Sequence, residues 1–197
     1  ELTEGMLARV RPVLESRDLG ELSQKHDRIV MLREALLSYL QQVGRAELND
    51  AEADEHARLV AATGEIENMS AALSYELIPL AQTLKEGNTT PSKETTDLLE
   101  RLFQTIQASA HSALRALVEQ DEPAAQTVVA SRDAILKLTS EFHRQQAVRL
   151  AGNEPDRLLK LRVQLEILDR LRRLYSVAEH MAISVLPRSV LVGELSA

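Results

Sequence analysis

The chain has 197 residues, enough for one large domain or two small ones, and apolar residues make up 44% of it. It has no cysteine, which excludes disulfides, zinc–thiolate sites and thiol catalysis, and its net charge of −7 argues against wholesale binding of nucleic acid. Aromatics are 3% of the chain and Gly numbers seven, so the expected core is Leu, Ala, Val and Ile in an all-α fold without hairpin turns.

In chain order, residues 2–16 form a short apolar-periodic stretch, with Met6, Val10 and Val13 on one side and Pro12 interrupting it. Asp18 is placed to cap a second helix, with Glu21 at the capping-box position. That helix is predicted to run to about Gln42 with Leu22, His26, Ile29, Leu36, Leu40 and Val43 facing inward, and to stop at Gly44. Asn49 or Asp50 opens a third helix. Its stripe is Leu59, Ala62, Ile66, Met69, Leu73, Leu77, Leu80 and Leu84, and Pro79 should bend it. The turn-rich segment GNTTPS spans residues 87–92, near the middle of the chain.

The second half repeats the scheme. A fourth helix is predicted from about Ser92 to Gln120, and a fifth from a cap at Asp121, with Pro123 in its first turn, to Ala151. The last runs from Pro155 to Pro187. Leu158, Leu161, Leu165, Leu168, Leu171, Tyr175, Ala178, Ala182 and Val185 form one stripe on it, over about 30 residues and about 45 Å. Such a helix cannot bury its stripe alone, so the other helices must be its partners. Asp27-Arg-Ile-Val-Met-Leu32 parallels Asp133-Ala-Ile-Leu-Lys-Leu138. About 40 residues after each comes a charged position on a long helix, Glu67 in one half and Arg172 in the other. This suggests a duplicated unit of three helices, 1–88 and 89–197, packed together as one domain. The plain alternative is that Leu-rich amphipathic helices look alike.

Few residues suggest chemistry. No Gly-x-Ser-x-Gly elbow and no Gly-rich phosphate loop occurs, so an enzyme is not expected. The acidic run Asp50, Glu52, Asp54 and Glu55 suits a positive helix N-terminus. Glu67 borders the apolar stripe rather than opposing it. The histidines make no helical pair of the kind a di-iron bundle needs, and His26 reads as a packed or surface residue. Charge is divided unevenly: residues 1–122 carry 12 Lys and Arg against 22 Asp and Glu, whereas residues 123–197 carry 11 against 8. The basic group includes Arg144, Arg149, Arg157, Arg172 and Arg173, candidates for contact with an anion or a partner. Within one helix, Arg170 could instead pair with Glu166 and Arg173 with Asp169, while Arg144, Arg149 and Arg157 lack obvious carboxylate neighbours in the sequence.

The run HRQQAVRLAGN, residues 143–153, with LEILDRLRRLYSVAEHMAISVLP, residues 165–187, resembles the C-terminal cytoplasmic domain of bacterial sodium-dependent phosphate cotransporters. That domain belongs to the PhoU-like group, whose fold is two tandem three-helix bundles. The resemblance implies a regulatory or accessory role in phosphate uptake at the cytoplasmic face of the inner membrane. This segment would be cut from a longer integral membrane protein that begins upstream of Glu1. Its implied partners are the membrane-embedded portion of the same chain or a transporter subunit; an anionic membrane surface and a second copy are further candidates. Alternatives are a free-standing PhoU-like regulator and a metal-binding helical bundle. PhoU-like proteins often carry Glu/Asp-x-x-x-Asp metal motifs. Here the matching stretches are Glu67-Asn-Met-Ser-Ala71 and Arg172-Arg-Leu-Tyr-Ser176. Glu67 remains, with Asp27 and Asp133 on the companion helices as family-like acidic positions. No tightly held cofactor is expected from this set, at most a weakly bound metal ion.

Overall fold

The structure, a computed structural model, describes residues 20–77, 79, 92–150 and 157–187. The helix expected over residues 2–16, its neighbouring cap at Asp18 and most of GNTTPS lie outside them. The described residues are helical and contain no strand. The helices are α1 (Gly20–Val43), α2 (Asp50–Ala71) with a π-helical continuation Ala72–Leu77, α3 (Lys93–Glu119), α4 (Glu122–Ala130), α5 (Arg132–Leu150) and α6 (Arg157–Ile183). The chain divides into two compact units, Glu1–Tyr75 and Glu76–Ala197.

In the first unit α1 packs against α2. Asn49 caps α2: its side chain accepts from the Glu52 amide at 3.0 Å, and the Glu52 carboxylate accepts from the Asn49 amide at 3.0 Å. The acidic first turn therefore serves the helix terminus. His56 Nε2 lies 2.8 Å from the Leu40 carbonyl and sets the register of the two helices. Ile29, Leu40, Met69, Ala72 and Leu73 are buried. The π-helical turn lies just ahead of Pro79. A proline ring crowds the carbonyl four residues earlier and offers no N–H, so a shift from four-residue to five-residue bonding just ahead of it is the expected bend.

In the second unit α3 is the hub, contacting α4, α5 and α6. Ser92 caps it, and Gln120 ends it in the left-handed conformation, φ 54° and ψ 39°. Its inner face is Leu98, Leu102, Ile106, Ala110, Ala113, Leu114 and Leu117. Against it lie Leu168, Leu171, Leu174, Tyr175, Ala178, Met181 and Ala182 of α6, all buried. The alanines let the helix axes approach closely, and each leucine removed from water contributes about 2 kcal/mol.

The expected fifth helix is two helices. Asp121 caps α4, with its carboxylate accepting from the Ala124 amide at 3.0 Å and Pro123 in the first turn. The helix then breaks at Ser131. The Ser131 hydroxyl donates to the Val128 carbonyl at 2.7 Å and lies 2.8 Å from Ser109 Oγ, while its amide donates to Val128 at 3.1 Å. A serine side chain that claims a backbone carbonyl competes with the regular ladder, and no Gly or Pro is needed.

Phe142 is the bulkiest of the fully buried side chains. Phe142→Ala should cost about 3–5 kcal/mol in urea unfolding, whereas Asn49→Ala, removing a cap, should cost about 1 kcal/mol.

Candidate functional site

The first unit holds a polar cluster between α1 and α2. Arg33 Nε lies 2.5 Å from Glu67 Oε2, and both side chains are partly exposed. Beside it His26 is buried, its Nδ1 2.8 Å from Ser70 Oγ. The Ser70 hydroxyl donates to the Glu67 carbonyl at 3.0 Å, so His26 Nδ1 is the donor to Ser70. The Tyr75 ring meets the imidazole edge-on, with centroids 4.7 Å apart.

Glu67 already faces a guanidinium, and Asp27 and Asp133 are exposed to solvent. No group of three or more His, Asp or Glu side chains gathers in metal-binding geometry among the described residues. From Glu67, Asp27 and Asp133 alone we expect no tightly held hard cation, which takes six or more oxygen ligands, water among them. Dialysis against a chelator should leave the melting temperature unchanged; a loss of several degrees would contradict this.

The second unit ties the arginines to carboxylates, mostly across helices. Arg170 Nη1 donates to Glu76 Oε2 at 2.5 Å, and Arg173 Nη1 lies 2.9 Å from Glu76 Oε1. Both were expected to pair within α6, with Glu166 and Asp169; instead one carboxylate, 94 residues before Arg170 and 97 before Arg173, takes both guanidinium groups. Arg144 and Arg149, which lacked obvious partners in the sequence, have them. Arg144 grips Glu141 through two hydrogen bonds, at 3.0 and 2.7 Å, which holds that carboxyl below its ordinary range with help from Gln145. Arg149 reaches α3, donating to Thr95 Oγ1 at 2.5 Å and to Glu94 at 2.7 Å. Arg172 is exposed and makes no ion pair among the described residues. Arg157 opens α6.

Arg172 and Arg173 line a groove of about 480 Å³ between α5 and α6, with Arg132, Asp169, Ser176 and Glu179. Its floor is a network that the sequence did not announce. Arg132 Nε donates to Glu179 Oε1 at 2.8 Å. The Tyr175 hydroxyl lies 3.0 Å from both the Val128 carbonyl and Glu179 Oε1. Positive and negative groups alternate in this groove, which suits a protein surface with its own charge pattern better than a free anion. Asp133 lines a second groove on α5, of about 500 Å³, with Leu136, Lys137, Ser140, Glu141 and Arg144.

Burial is the main reason the Tyr175 phenol is pushed up to about 12. The folded state therefore holds this proton more tightly than the unfolded chain does. The associated stability is complete below pH about 10 and is lost as pH rises through about 12. Ultraviolet titration should show a late ionising phase near 12 that Tyr175→Phe removes.

Comparison with solved structures gives a match over most of the chain. PhoU from Pseudomonas aeruginosa superposes with a TM-score of 0.79 at 16% sequence identity, covering 93% of this chain and 88% of that one. The fold is therefore PhoU-like. No family model matches the sequence, and no curated protein matches it.

Proposed function

We propose that this chain is a PhoU-like regulatory domain that works through protein contacts in the uptake of phosphate or its control. The observation that carries the reading is the fold itself, shared with PhoU over nearly the whole chain. The finer reading is the cytoplasmic domain of a sodium-dependent phosphate cotransporter. It rests on the likeness of residues 143–153 and 165–187 to that family. A free-standing PhoU-like regulator fits the fold equally. In either case the chain acts as an accessory to transport. No helix among the described residues is long and apolar enough to cross a membrane, so those segments do not form the conduit.

The chemistry of the second unit supports contact rather than catalysis. Guanidinium groups pinned by carboxylates are rigid and directional, and a partner presenting matching charges can exchange pairs with them. Arg172 and Arg157 belong to the proposed contact surface, as do Arg144, Arg149 and Arg173 where a partner's carboxylates compete with their present ones. The membrane-embedded part of a transporter, or a transporter subunit, is the proposed partner, at the cytoplasmic face of the inner membrane. Electrostatic attraction to anionic lipid would add roughly 1 kcal/mol for each basic residue near the surface.

Removing residues 1–197 from the encoding gene tests this reading. Sodium-driven phosphate uptake should change several-fold in cells carrying the deletion, and restoring the chain should reverse it. Unchanged uptake at both low and high external phosphate would contradict a role in transport. An altered response only of phosphate-regulated expression would favour the free-standing regulator.

A further inference from the structure

Two acceptors compete for one proton at the floor of the groove between α5 and α6. The Tyr175 side chain is buried, and its hydroxyl lies 3.0 Å from the Val128 carbonyl and 3.0 Å from Glu179 Oε1. A carbonyl and a carboxylate only accept, and a phenol has a single proton to give. The hydroxyl therefore serves one of them at a time. Val128 lies in the last turn of α4, at the break between α4 and α5, where the Ser131 hydroxyl also donates to its carbonyl at 2.7 Å. Glu179 lines the groove, and Arg132 donates to its Oε1 at 2.8 Å.

The Arg132–Glu179 pair decides the contest. While the guanidinium holds Glu179, it offsets the charge of the carboxylate and already supplies Oε1 with a donor. The phenol proton then goes to Val128 and ties α6 to the end of α4. A carboxylate without its cation draws that proton more strongly, because a hydrogen bond to an ionised partner is about twice as strong as a neutral one. The proton then turns to Glu179, and α4 loses this polar tie to α6. Coupling between two places needs a two-state element that both can bias, and the phenol proton is one.

The cation of the pair is open to solvent: the Arg132 side chain is 47% exposed, against 18% for Glu179. Arg172 lines the same groove, exposed and without an ion pair among the described residues. A guanidinium binds a carboxylate edge-on through two N–H groups, so a carboxylate at the Nε edge of Arg132 displaces Glu179 from it. Asp169 and Glu179 in the groove disfavour a multiply charged oxyanion.

We propose that the groove takes a carboxylate side chain of the partner protein, that this carboxylate draws Arg132 off Glu179, and that Tyr175 passes the event to the break between α4 and α5. The coupling rests on the groove being a partner contact. Arg172 makes the first encounter, Arg132 is the group that changes hands, and Tyr175 and Glu179 are positioning residues. The engaged state is the one in which α4 opens more readily.

Amide hydrogen exchange over α4, Glu122–Ala130, reads this on the full chain. Arg132→Gln stands in for the engaged groove, since it leaves Glu179 without its cation. It should speed exchange in α4 several-fold while α3 and α6 stay as they were. Tyr175→Phe should speed α4 about as much, and the two together no more than either, because both remove the same tie. Adding Glu179→Gln to Arg132→Gln should return α4 to its original rate, since a neutral amide no longer draws the proton. At low salt, tetraglutamate at millimolar concentration should speed α4 in the unaltered chain and have no further effect on Arg132→Gln. An Arg132→Gln effect of equal size with and without the phenol hydroxyl would overturn the proposal. So would a loss of protection spread evenly over the second unit, or an α4 that tetraglutamate leaves unmoved. Exchange is read on the chain alone, so the coupling can fail while the deletion still alters uptake, and the reverse.

Discussion

The second unit depends on the burial of α6 against α3. Leu168, Leu171, Leu174, Ala178, Met181 and Ala182 on one helix, with Leu102, Ile106, Ala110, Ala113 and Leu117 on the other, are buried where the two helices pack. Most of the stability of either helix comes from packing its apolar face rather than from helix propensity. Once the two are in contact, the remaining elements have defined places. α4 must follow α3 closely enough to bury Ala124, Ala125 and Val128, and α5 must return to bury Ile135 and Phe142. The break at Ser131 lets α4 and α5 take separate directions. Tyr175 anchors that break from α6 by placing its hydroxyl at the Val128 carbonyl.

Polar groups are then added at the margins of this apolar contact, and several of the arginines are paired with carboxylates. Arg132 meets Glu179, Arg149 meets Glu94, and Arg170 and Arg173 share Glu76. Such partly exposed pairs contribute little each, about 0–1 kcal/mol. Their value is in orientation: each ties two elements together, and collectively they leave a surface of alternating charge. The Arg33–Glu67 pair does the same for α1 and α2. Where the resemblance to PhoU-like proteins places a metal-binding carboxylate, this chain has a carboxylate facing a guanidinium.

Much of the fold is legible in the sequence, because helix periodicity is a local signal. The cap at Asp121 is as the residues suggest, and of Asn49 and Asp50 it is Asn49 that caps its helix, while Ser92 caps the helix expected from about that residue. The predicted stripe of α6 is right at Leu168, Leu171, Tyr175, Ala178 and Ala182. It is too narrow, since Val163, Ile167, Leu174 and Met181 are buried as well, on a helix with neighbours on two sides. It also starts too early, for Leu158 is largely exposed. The break at Ser131 escaped because no Gly or Pro marks it: the serine hydroxyl bonds the Val128 carbonyl and lies against Ser109, 22 residues away. Of the candidate site, the residues were legible and the partners were not. Short-range spacing pointed Arg170 and Arg173 to Glu166 and Asp169, but Glu76 is placed by tertiary packing, which no local pattern encodes.

Amide hydrogen exchange, read segment by segment on the full chain, tests the organising role of the α3–α6 contact most directly. The slowest exchange should fall in residues 102–117 of α3 and 168–182 of α6, with α1 and α2 opening at lower free energy. Slowest exchange in α1 and α2, or α3 and α6 exchanging in separate steps, would contradict it.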